Sequence, residues 1–145
     1  MSPRLVIDTN IVLDLFVFDD AAAKPLRAAL EAGEVAWIAT AAMRIELARV
    51  LGYPQIAPRL AFHGLADAEV LAQFDRHARL VDAAPKAAVT CADPDDQGFI
   101  DLAVAHRAPL LSKDRAVLAM RRRLERLGVQ AGPRFLPFTT AATIA

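Results

Sequence analysis

Short runs of consecutive apolar residues recur along the chain, each bounded by polar or turn-forming positions. Because these runs are continuous rather than alternating, they are typical of β-strands covered on both faces. The candidate strands are residues 5–7, 35–38, 80–81, 110–112 and 129–131. The pattern therefore predicts a sheet of four to five buried strands.

Between these runs the apolar residues follow the period of a helix. In residues 41–51, for example, Met43, Leu47 and Leu51 fall on one helical face. The same pattern predicts helices over residues 21–31, 67–77, 99–106 and 116–127. Strands that alternate with helices form a parallel sheet flanked by helices. We expect a single α/β domain over residues 1–145, with three α/β/α layers around a central parallel sheet.

The composition excludes several classes of protein. Of the 145 residues 55% are hydrophobic, which excludes a disordered chain. No run of about 18 apolar residues occurs, so no transmembrane helix is expected. The single cysteine, Cys91, fits a reducing compartment, and the first residues lack a signal-peptide pattern. We therefore expect a cytoplasmic protein. Basic and acidic residues balance at 17 each, which argues against a non-specific coat on nucleic acid.

Acidic residues fall at the ends of the predicted strands. Asp8 follows the first strand, Asp114 follows the fourth, and Asp96 precedes the helix after an acidic loop. Glu46 lies on the apolar face of its helix, although Glu is rarely buried without a partner. Because ligands bind beyond the carboxyl ends of parallel strands, we expect these four carboxylates at one edge of the sheet. The alternative is helix capping for each aspartate and, for Glu46, a place at the border of the apolar stripe.

Carboxylates gathered in one pocket repel one another. At 4 Å each like-charge pair costs about 1 kcal/mol in water and about 4 kcal/mol at an effective dielectric constant of 20. Either protonation or a bound divalent cation relieves this repulsion. An all-oxygen ligand set suits Mg²⁺ or Mn²⁺ rather than zinc. The three histidines show no ligand spacing, and no Gly-rich phosphate-binding loop occurs.

In their order and spacing these motifs resemble the PIN-domain family. The resemblance is carried by VIDTN at Asp8, by Glu46, by CADPDDQGF at Asp96 and by LLSKD at Asp114. The acidic loop is similar to that of the branch assigned to toxins of toxin–antitoxin pairs. The resemblance covers residues 5 to about 138. It implies a metal-dependent endoribonuclease that hydrolyses RNA phosphodiester bonds.

The resemblance also implies a role for each acidic residue. Asp8, Glu46 and Asp96 would bind Mg²⁺ or Mn²⁺, and Asp114 would reach the metal through water. These four would form the catalytic set. Asp93 is the second choice for the ligand from the acidic loop.

Further polar residues surround these acids in the sequence. Asn10 and Ser112 match supporting polar positions of the family. Lys113 and Arg115 flank Asp114 and are candidates for contacts with substrate phosphates, with solvated charges at a helix start as the alternative. The arginine-rich segment 121–126 is interpreted as a solvated helix face, with a widened RNA groove as the alternative.

The sequence also departs from the family's pattern in the acidic loop. Members of this branch often carry a basic residue where Ala92 stands and a third acid where Gln97 stands. This departure leaves open which aspartate of the loop binds metal. Asp95, Asp14 and Asp101 are interpreted as surface carboxylates, with a supporting place behind the metal ligands as the alternative for Asp14.

Two other classes of function are compatible with the sequence. A PIN-like scaffold without activity, which only binds RNA or a protein, would explain Gln97 in place of an acid. A phosphoryl-transfer domain of the receiver or haloacid-dehalogenase type also has an Asp after its first strand. It would, however, need a second Asp at Asn10 or an acidic pair before Asp8. For the nuclease, the expected partners are RNA, a cognate antitoxin protein and a second copy in a homodimer.

Overall fold

The computed structural model describes residues 2–135. Five strands form one sheet, in which every pairing is parallel. The strands are β1 Arg4–Ile7, β2 Ala36–Ala39, β3 Ala78–Leu80, β4 Leu110–Leu111 and β5 Ala131–Gly132. Their order is β3-β2-β1-β4-β5, which places β1 in the centre. The predicted α/β fold with a parallel sheet is confirmed. Residue 1 and residues 136–145 of the predicted domain lie outside the described residues, and so does the end of the resemblance, which reaches to about residue 138.

Burial along the strands follows their place in the sheet. The central strand β1 is buried from Leu5 to Ile7, as its continuous apolar run predicts. The edge strand β3 differs, because Arg79 and Leu80 are exposed. The expectation of a strand covered on both faces is therefore wrong for β3, which has a neighbouring strand on one side only. Trp37 of β2 is fully buried and contacts aromatic rings of two flanking helices.

Eight α-helices flank the sheet within the described part of the chain. They are α1 Thr9–Phe16, α2 Lys24–Glu31, α3 Ala41–Leu51, α4 Ala57–Phe62, α5 Asp67–His77, α6 Gln97–His106, α7 Arg115–Leu118 and α8 Arg121–Arg126. Two short 3-10 helices, Ala21–Ala23 and Pro94–Asp96, precede α2 and α6. The predicted bounds of α3 and α5 agree with the structure at both ends. None of the helices in residues 2–135 is long and apolar enough to cross a membrane.

Two helix predictions need correction, and helix α4 was missed. The single helix predicted over residues 116–127 is two helices, because the chain turns after α7 with Met120 N–H donating to the carbonyl of Val117. The apolar stripe nevertheless survives, since Val117, Met120 and Leu124 are all buried. The helix predicted over residues 21–31 begins as a 3-10 helix. Helix α4 was not predicted, because Leu60 is its only buried residue and leaves no periodic stripe.

Candidate functional site

The carboxyl ends of β1 and β4 lie side by side and bring Asp8 and Ser112 together. Ile7 pairs with Leu111, so the following residue on each strand reaches the same edge of the sheet. The Ser112 hydroxyl donates a hydrogen bond of 2.6 Å to Asp8 Oδ2, across 104 positions of sequence. The Asn10 backbone N–H donates to Asp8 Oδ1 at 2.8 Å and makes Asp8 the N-cap of α1. Both oxygens of this buried carboxylate therefore have a donor.

Ser112 also connects Asp8 with Asp114. Its Oγ accepts a hydrogen bond of 3.0 Å from the backbone N–H of Asp114. Asp114 Oδ1 accepts one of 2.8 Å from the Ala116 N–H and caps α7. The capping alternative is thus correct for Asp8 and for Asp114. Capping occupies only one oxygen of Asp114, and the carboxylate also belongs to the acidic cluster at this edge.

The acidic loop brings two more carboxylates to the same place. It folds as the 3-10 helix Pro94–Asp96, which begins where Asp93 accepts a hydrogen bond of 2.9 Å from the Asp95 N–H. Asp96 directly precedes α6 but makes no side-chain cap bond with it, so the capping alternative is wrong here. Carboxylate oxygens of Asp93, Asp96 and Asp114 lie within 4.8 Å of one another. We call these three residues the aspartate cluster.

Asp96 is the least satisfied carboxylate of the aspartate cluster. It is 8% exposed, and its Oδ2 is buried without a hydrogen-bond partner among residues 2–135. Burial and then the negative charges of Asp114, Asp8 and Asp93 raise the pKa of Asp96 to about 7. A buried acceptor without a donor is costly for the fold. The arrangement therefore favours either a proton or a cation at this oxygen.

The aspartate cluster fits a small divalent cation. Mg²⁺ binds oxygen at about 2.1 Å, so ligands on opposite sides of one ion lie about 4.2 Å apart. The spacing of the three carboxylates is close to this span. Their donor set is entirely oxygen, which is the set that Mg²⁺ and Mn²⁺ prefer. The orphaned Oδ2 of Asp96 has the place and the chemistry of a ligand atom.

Asp8 and Glu46 lie beside the aspartate cluster and have partners of their own. Glu46 is half-buried on α3, and the Thr9 hydroxyl donates a hydrogen bond of 2.7 Å to its Oε2. Burial raises the pKa of Glu46, and the charges of Asp8 and Asp95 add to this effect. Burial likewise raises the pKa of Asp8, against the hydrogen bond from Ser112. Neither residue belongs to the group of oxygens within reach of one ion, in contrast to Asp93, the second choice from the sequence.

The basic residues next to Asp114 differ in their surroundings. Lys113 forms an ion pair with Asp14 of α1. Asp14 is 8% exposed, so its interpretation as a surface carboxylate is wrong. Arg115 is exposed and forms no ion pair within the described residues, and the arginines of α8 are exposed as well. Asn10 is exposed, and its backbone rather than its side chain contacts Asp8.

The side chains of Gln97 and Asp101 form hydrogen bonds with the acidic loop and the chain before it. Gln97 Oε1 accepts a hydrogen bond of 2.7 Å from the Cys91 N–H, and its Nε2 donates to Asp101 Oδ1 at 2.7 Å. Asp101 also accepts a hydrogen bond from the Ala87 N–H at 2.9 Å. Asp101 is half-buried, and it has a structural role in addition to its partial exposure. Asp95, by contrast, is exposed as expected.

Sequence reasoning missed Thr9 at this edge, and it did not foresee the ion pair between Lys113 and Asp14. Thr9 stands next to Asp8 in VIDTN, but nothing in the sequence links it to Glu46, 37 positions away. Asp14 and Lys113 meet because α1 follows β1, Lys113 follows β4, and these two strands are neighbours in the sheet. The one available signal was Asp14 itself, which lies among apolar residues of α1 that are all buried.

A comparison with protein families agrees with this geometry. The family described as PIN domain matches residues 4–116, a span that begins at β1 and includes Asp8, Glu46, Asp96 and Asp114. No curated protein matches the sequence significantly. PIN domains are in general nucleases that use divalent metal ions. The match covers most of the chain and the whole acidic edge, and the chain therefore belongs to the PIN-domain family.

Proposed function

We propose that this protein is an Mg²⁺- or Mn²⁺-dependent endoribonuclease that hydrolyses phosphodiester bonds of RNA. The observation that carries the proposal is the aspartate cluster, with the buried and unpartnered Oδ2 of Asp96 among its oxygens. Membership of the PIN-domain family supports a nuclease. The choice of RNA, and a role as the toxin of a toxin–antitoxin pair, are supported by the resemblance of the loop CADPDDQGF to that branch.

The aspartate cluster would hold the metal ion, with Asp8 and Glu46 at its border. When bound, such an ion lowers the pKa of a coordinated water and stabilises negative charge on a phosphodiester. The protein's own contribution is to keep the acids in place. Ser112 and the Asn10 N–H fix both oxygens of Asp8, and Thr9 fixes Glu46. A second ion or a water network between the aspartate cluster and Glu46 would extend the site.

Neither the Ser112 hydroxyl nor the Cys91 thiol is suited to act as a nucleophile. Ser112 is fully buried, and its hydroxyl is already committed to Asp8 and to the Asp114 N–H. Cys91 is buried, and this burial raises the pKa of its thiol, which disfavours the reactive thiolate. The geometry therefore supports direct attack by water rather than a covalent intermediate.

Substrate phosphates need a cationic contact near these carboxylates. Arg115 is exposed at the first position of α7, directly after Asp114. Lys113 is engaged by Asp14, so its ammonium group is held between the acidic edge and α1. We assign the first contact with a substrate phosphate to Arg115, and a contact from Lys113 would require sharing its charge with Asp14.

The partners proposed from the sequence are an antitoxin protein and a second copy of the chain. Two helices present apolar residues to solvent: Ile45 of α3, the helix that carries Glu46, is 60% exposed, and Phe62 of α4 is 83% exposed. Such residues support a protein–protein contact. A cytoplasmic location follows from the same proposal.

The test is cleavage of total cellular RNA by the purified protein with Mn²⁺ or Mg²⁺, followed by sequencing of the new 5′ ends. Asp8→Asn is the inactive variant, and Asp82→Asn, which changes an exposed carboxylate that is not part of the aspartate cluster, is the matched control. We expect the same cuts in wild type and in Asp82→Asn, and none in Asp8→Asn or with a chelator. Equal cleavage by all three proteins would indicate a contaminating nuclease. No cleavage by any of them would favour the inactive scaffold.

A further inference from the structure

The acidic loop is closed on itself by Gln97, the first residue of α6. Its Oε1 accepts a hydrogen bond of 2.7 Å from the Cys91 N–H, six positions earlier. Asp93 and Asp96 lie within the segment that this bond closes. The side chain of Gln97 therefore joins the two ends of the part of the loop that supplies two residues of the aspartate cluster.

The amide of Gln97 uses both of its functional groups. Besides accepting from Cys91, it donates through Nε2 to the Val89 carbonyl at 3.1 Å and to Asp101 Oδ1 at 2.7 Å. Asp101 lies one turn further along α6, where an i,i+4 pair faces the same side of the helix. Three hydrogen bonds to three different partners define a single orientation of this amide.

Asp101 extends the contact to an earlier part of the loop. The same Oδ1 that accepts from Gln97 accepts from the Ala87 N–H at 2.9 Å. The chain between β3 and Pro94–Asp96 has no helix or strand of its own. Side-chain contacts with α6 at Ala87 and Cys91 therefore replace the backbone pairing that a regular element would provide.

We infer that Gln97 and Asp101 form a clamp that positions Asp93 and Asp96 for metal binding, a proposal that rests on the metal-dependent function argued above. Gln97 stands where an acidic residue was expected from the resemblance, and its contacts give it a different task from that of a ligand. Its side chain holds the loop at Cys91 and Val89, whereas Asp93 and Asp96 supply oxygens to the aspartate cluster. Gln97 and Asp101 are thus positioning residues and not catalytic ones.

The clamp acts through hydrogen-bond acceptors and donors rather than through the charge of Asp101. Among the described residues, both hydrogen bonds to the Asp101 side chain are accepted by the same oxygen, Oδ1. An asparagine at this position keeps a carbonyl oxygen as the acceptor and loses the negative charge. A leucine of similar size loses both. The two substitutions therefore separate positioning from simple electrostatic attraction of a cation.

The experiment measures the dissociation constant for Mn²⁺ by calorimetry, well below the melting temperature of each protein. Gln97→Met and Asp101→Leu are expected to weaken Mn²⁺ binding roughly tenfold, as is common when residues that orient metal ligands are lost. Asp101→Asn is expected to bind Mn²⁺ as wild type does. The exposed Gln55→Met is the matched control, and it should also bind as wild type does.

Amide hydrogen exchange of the metal-free proteins gives a second readout. The Cys91 and Ala87 N–H groups donate to the clamp, so their exchange should accelerate in Gln97→Met and in Asp101→Leu, respectively. The double variant should weaken Mn²⁺ binding by less than the product of the two single effects, because both remove the same bond.

The outcomes separate the clamp from the metal site itself. If wild type does not bind Mn²⁺, the proposed function fails and the clamp fails with it. If wild type binds but Gln97→Met binds equally well, the clamp alone is wrong. Weakening in Asp101→Asn equal to that in Asp101→Leu would show that charge acts rather than the hydrogen bonds, and would also overturn it. A variant that loses its fold is recognised by its melting curve. If this happens to Gln97→Met, the comparison of Asp101→Asn with Asp101→Leu decides; if it happens to Asp101→Leu, the comparison of Gln97→Met with wild type decides.

Discussion

Asp8 and Asp96 are both buried aspartates at the carboxyl edge of one sheet, and they differ in how their charge is satisfied. Asp8 receives one hydrogen bond on each oxygen, from Ser112 and from the Asn10 N–H. Asp96 has a buried Oδ2 without a partner in the described structure. A carboxylate with donors on both oxygens is fixed in one orientation by the protein alone. One with an open oxygen depends on a proton or a cation, so the contrast separates the scaffold of the site from the place where the ligand binds.

The strongest test of this contrast is Asp96→Asn. This substitution removes a proposed anionic ligand while it keeps the size of the side chain. A weaker metal site would stabilise the negative charge of the transition state less, by several kcal/mol. We therefore expect the rate of RNA cleavage to fall about 100-fold or more. Stabilisation of the fold by millimolar Mn²⁺ should disappear as well. Thermal melts with and without Mn²⁺, together with cleavage assays, measure both effects. The exposed neighbour substitution Asp95→Asn is the control, and an equal loss there would contradict the special place of Asp96.

Ser112→Ala tests the satisfied side of the comparison. It leaves Asp8 Oδ2 buried without its donor, which should lower the free energy of unfolding by about 1–3 kcal/mol. Because Asp8 then loses its fixed orientation, we expect roughly a tenfold lower affinity for Mn²⁺. Chemical denaturation and calorimetry provide the measurements. Unchanged stability would mean that the 2.6 Å hydrogen bond contributes little.

The pKa of Asp96 predicts a pH dependence of the metal-free protein. Since this pKa is about 7 in the folded state and ordinarily 3.8, the folded protein binds more protons than the unfolded chain between these values. The stabilising contribution of the protonated group is therefore full below pH 4 and lost as the pH rises through 7. Lowering the pH from 8 to 6 should raise the melting temperature by roughly 3 °C.

Two further measurements sharpen the assignment of this titration to Asp96. In the Asp96→Asn variant the rise of the melting temperature between pH 8 and 6 should be smaller, because Asn does not titrate. In wild type with saturating Mn²⁺ the dependence should reverse, since protons compete with the metal for the carboxylate. An equal change in melting temperature between pH 8 and 6 in metal-free wild type and in Asp96→Asn would contradict the raised pKa of Asp96.

Thr9→Val should have the smallest effect of these changes. It removes the hydroxyl that donates to Glu46 Oε2 and keeps the shape of the side chain. Because Glu46 is half-buried and keeps access to water, we expect a loss of about 0.5–1.5 kcal/mol in the free energy of unfolding. Cleavage should fall by less than tenfold. A loss as large as that in Asp96→Asn would place Glu46 at the centre of the site rather than at its border.

The fold follows from the sequence to the extent that each element has a clear period. The continuous apolar run before Asp8 predicts a buried strand, and residues 41–51 and 67–77 have stripes that predict α3 and α5 with their bounds. Helix α4 was not predicted, because Leu60 is its only buried residue and one apolar position shows no period. The turn between α7 and α8 was not predicted, because Met120 and Leu124 stay buried across it and the apolar residues keep their helical spacing.

The sequence predicts where the site lies in the fold better than it predicts which side chains contact one another there. Strand ends identify Asp8 and Asp114, because the carboxyl edge of a parallel sheet collects polar residues. The partnership of Gln97 with Cys91, Val89 and Asp101 is absent from any periodic pattern, since it depends on how an irregular loop crosses α6. Sequence analysis ranked Asp93 below Asp96, whereas the 3-10 helix brings both residues into one cluster.

The strand order has a consequence for how this protein is synthesised. The central strand β1 is made first, and its neighbour β4 is made about a hundred residues later, as the separation of 104 positions between Asp8 and Ser112 records. A nascent chain that ends before β4 carries Asp8 and Glu46 but neither Ser112 nor Asp114. The aspartate cluster therefore forms only after β4 has left the ribosome and docked beside β1. The proposed nuclease site is therefore incomplete during most of the synthesis of the chain.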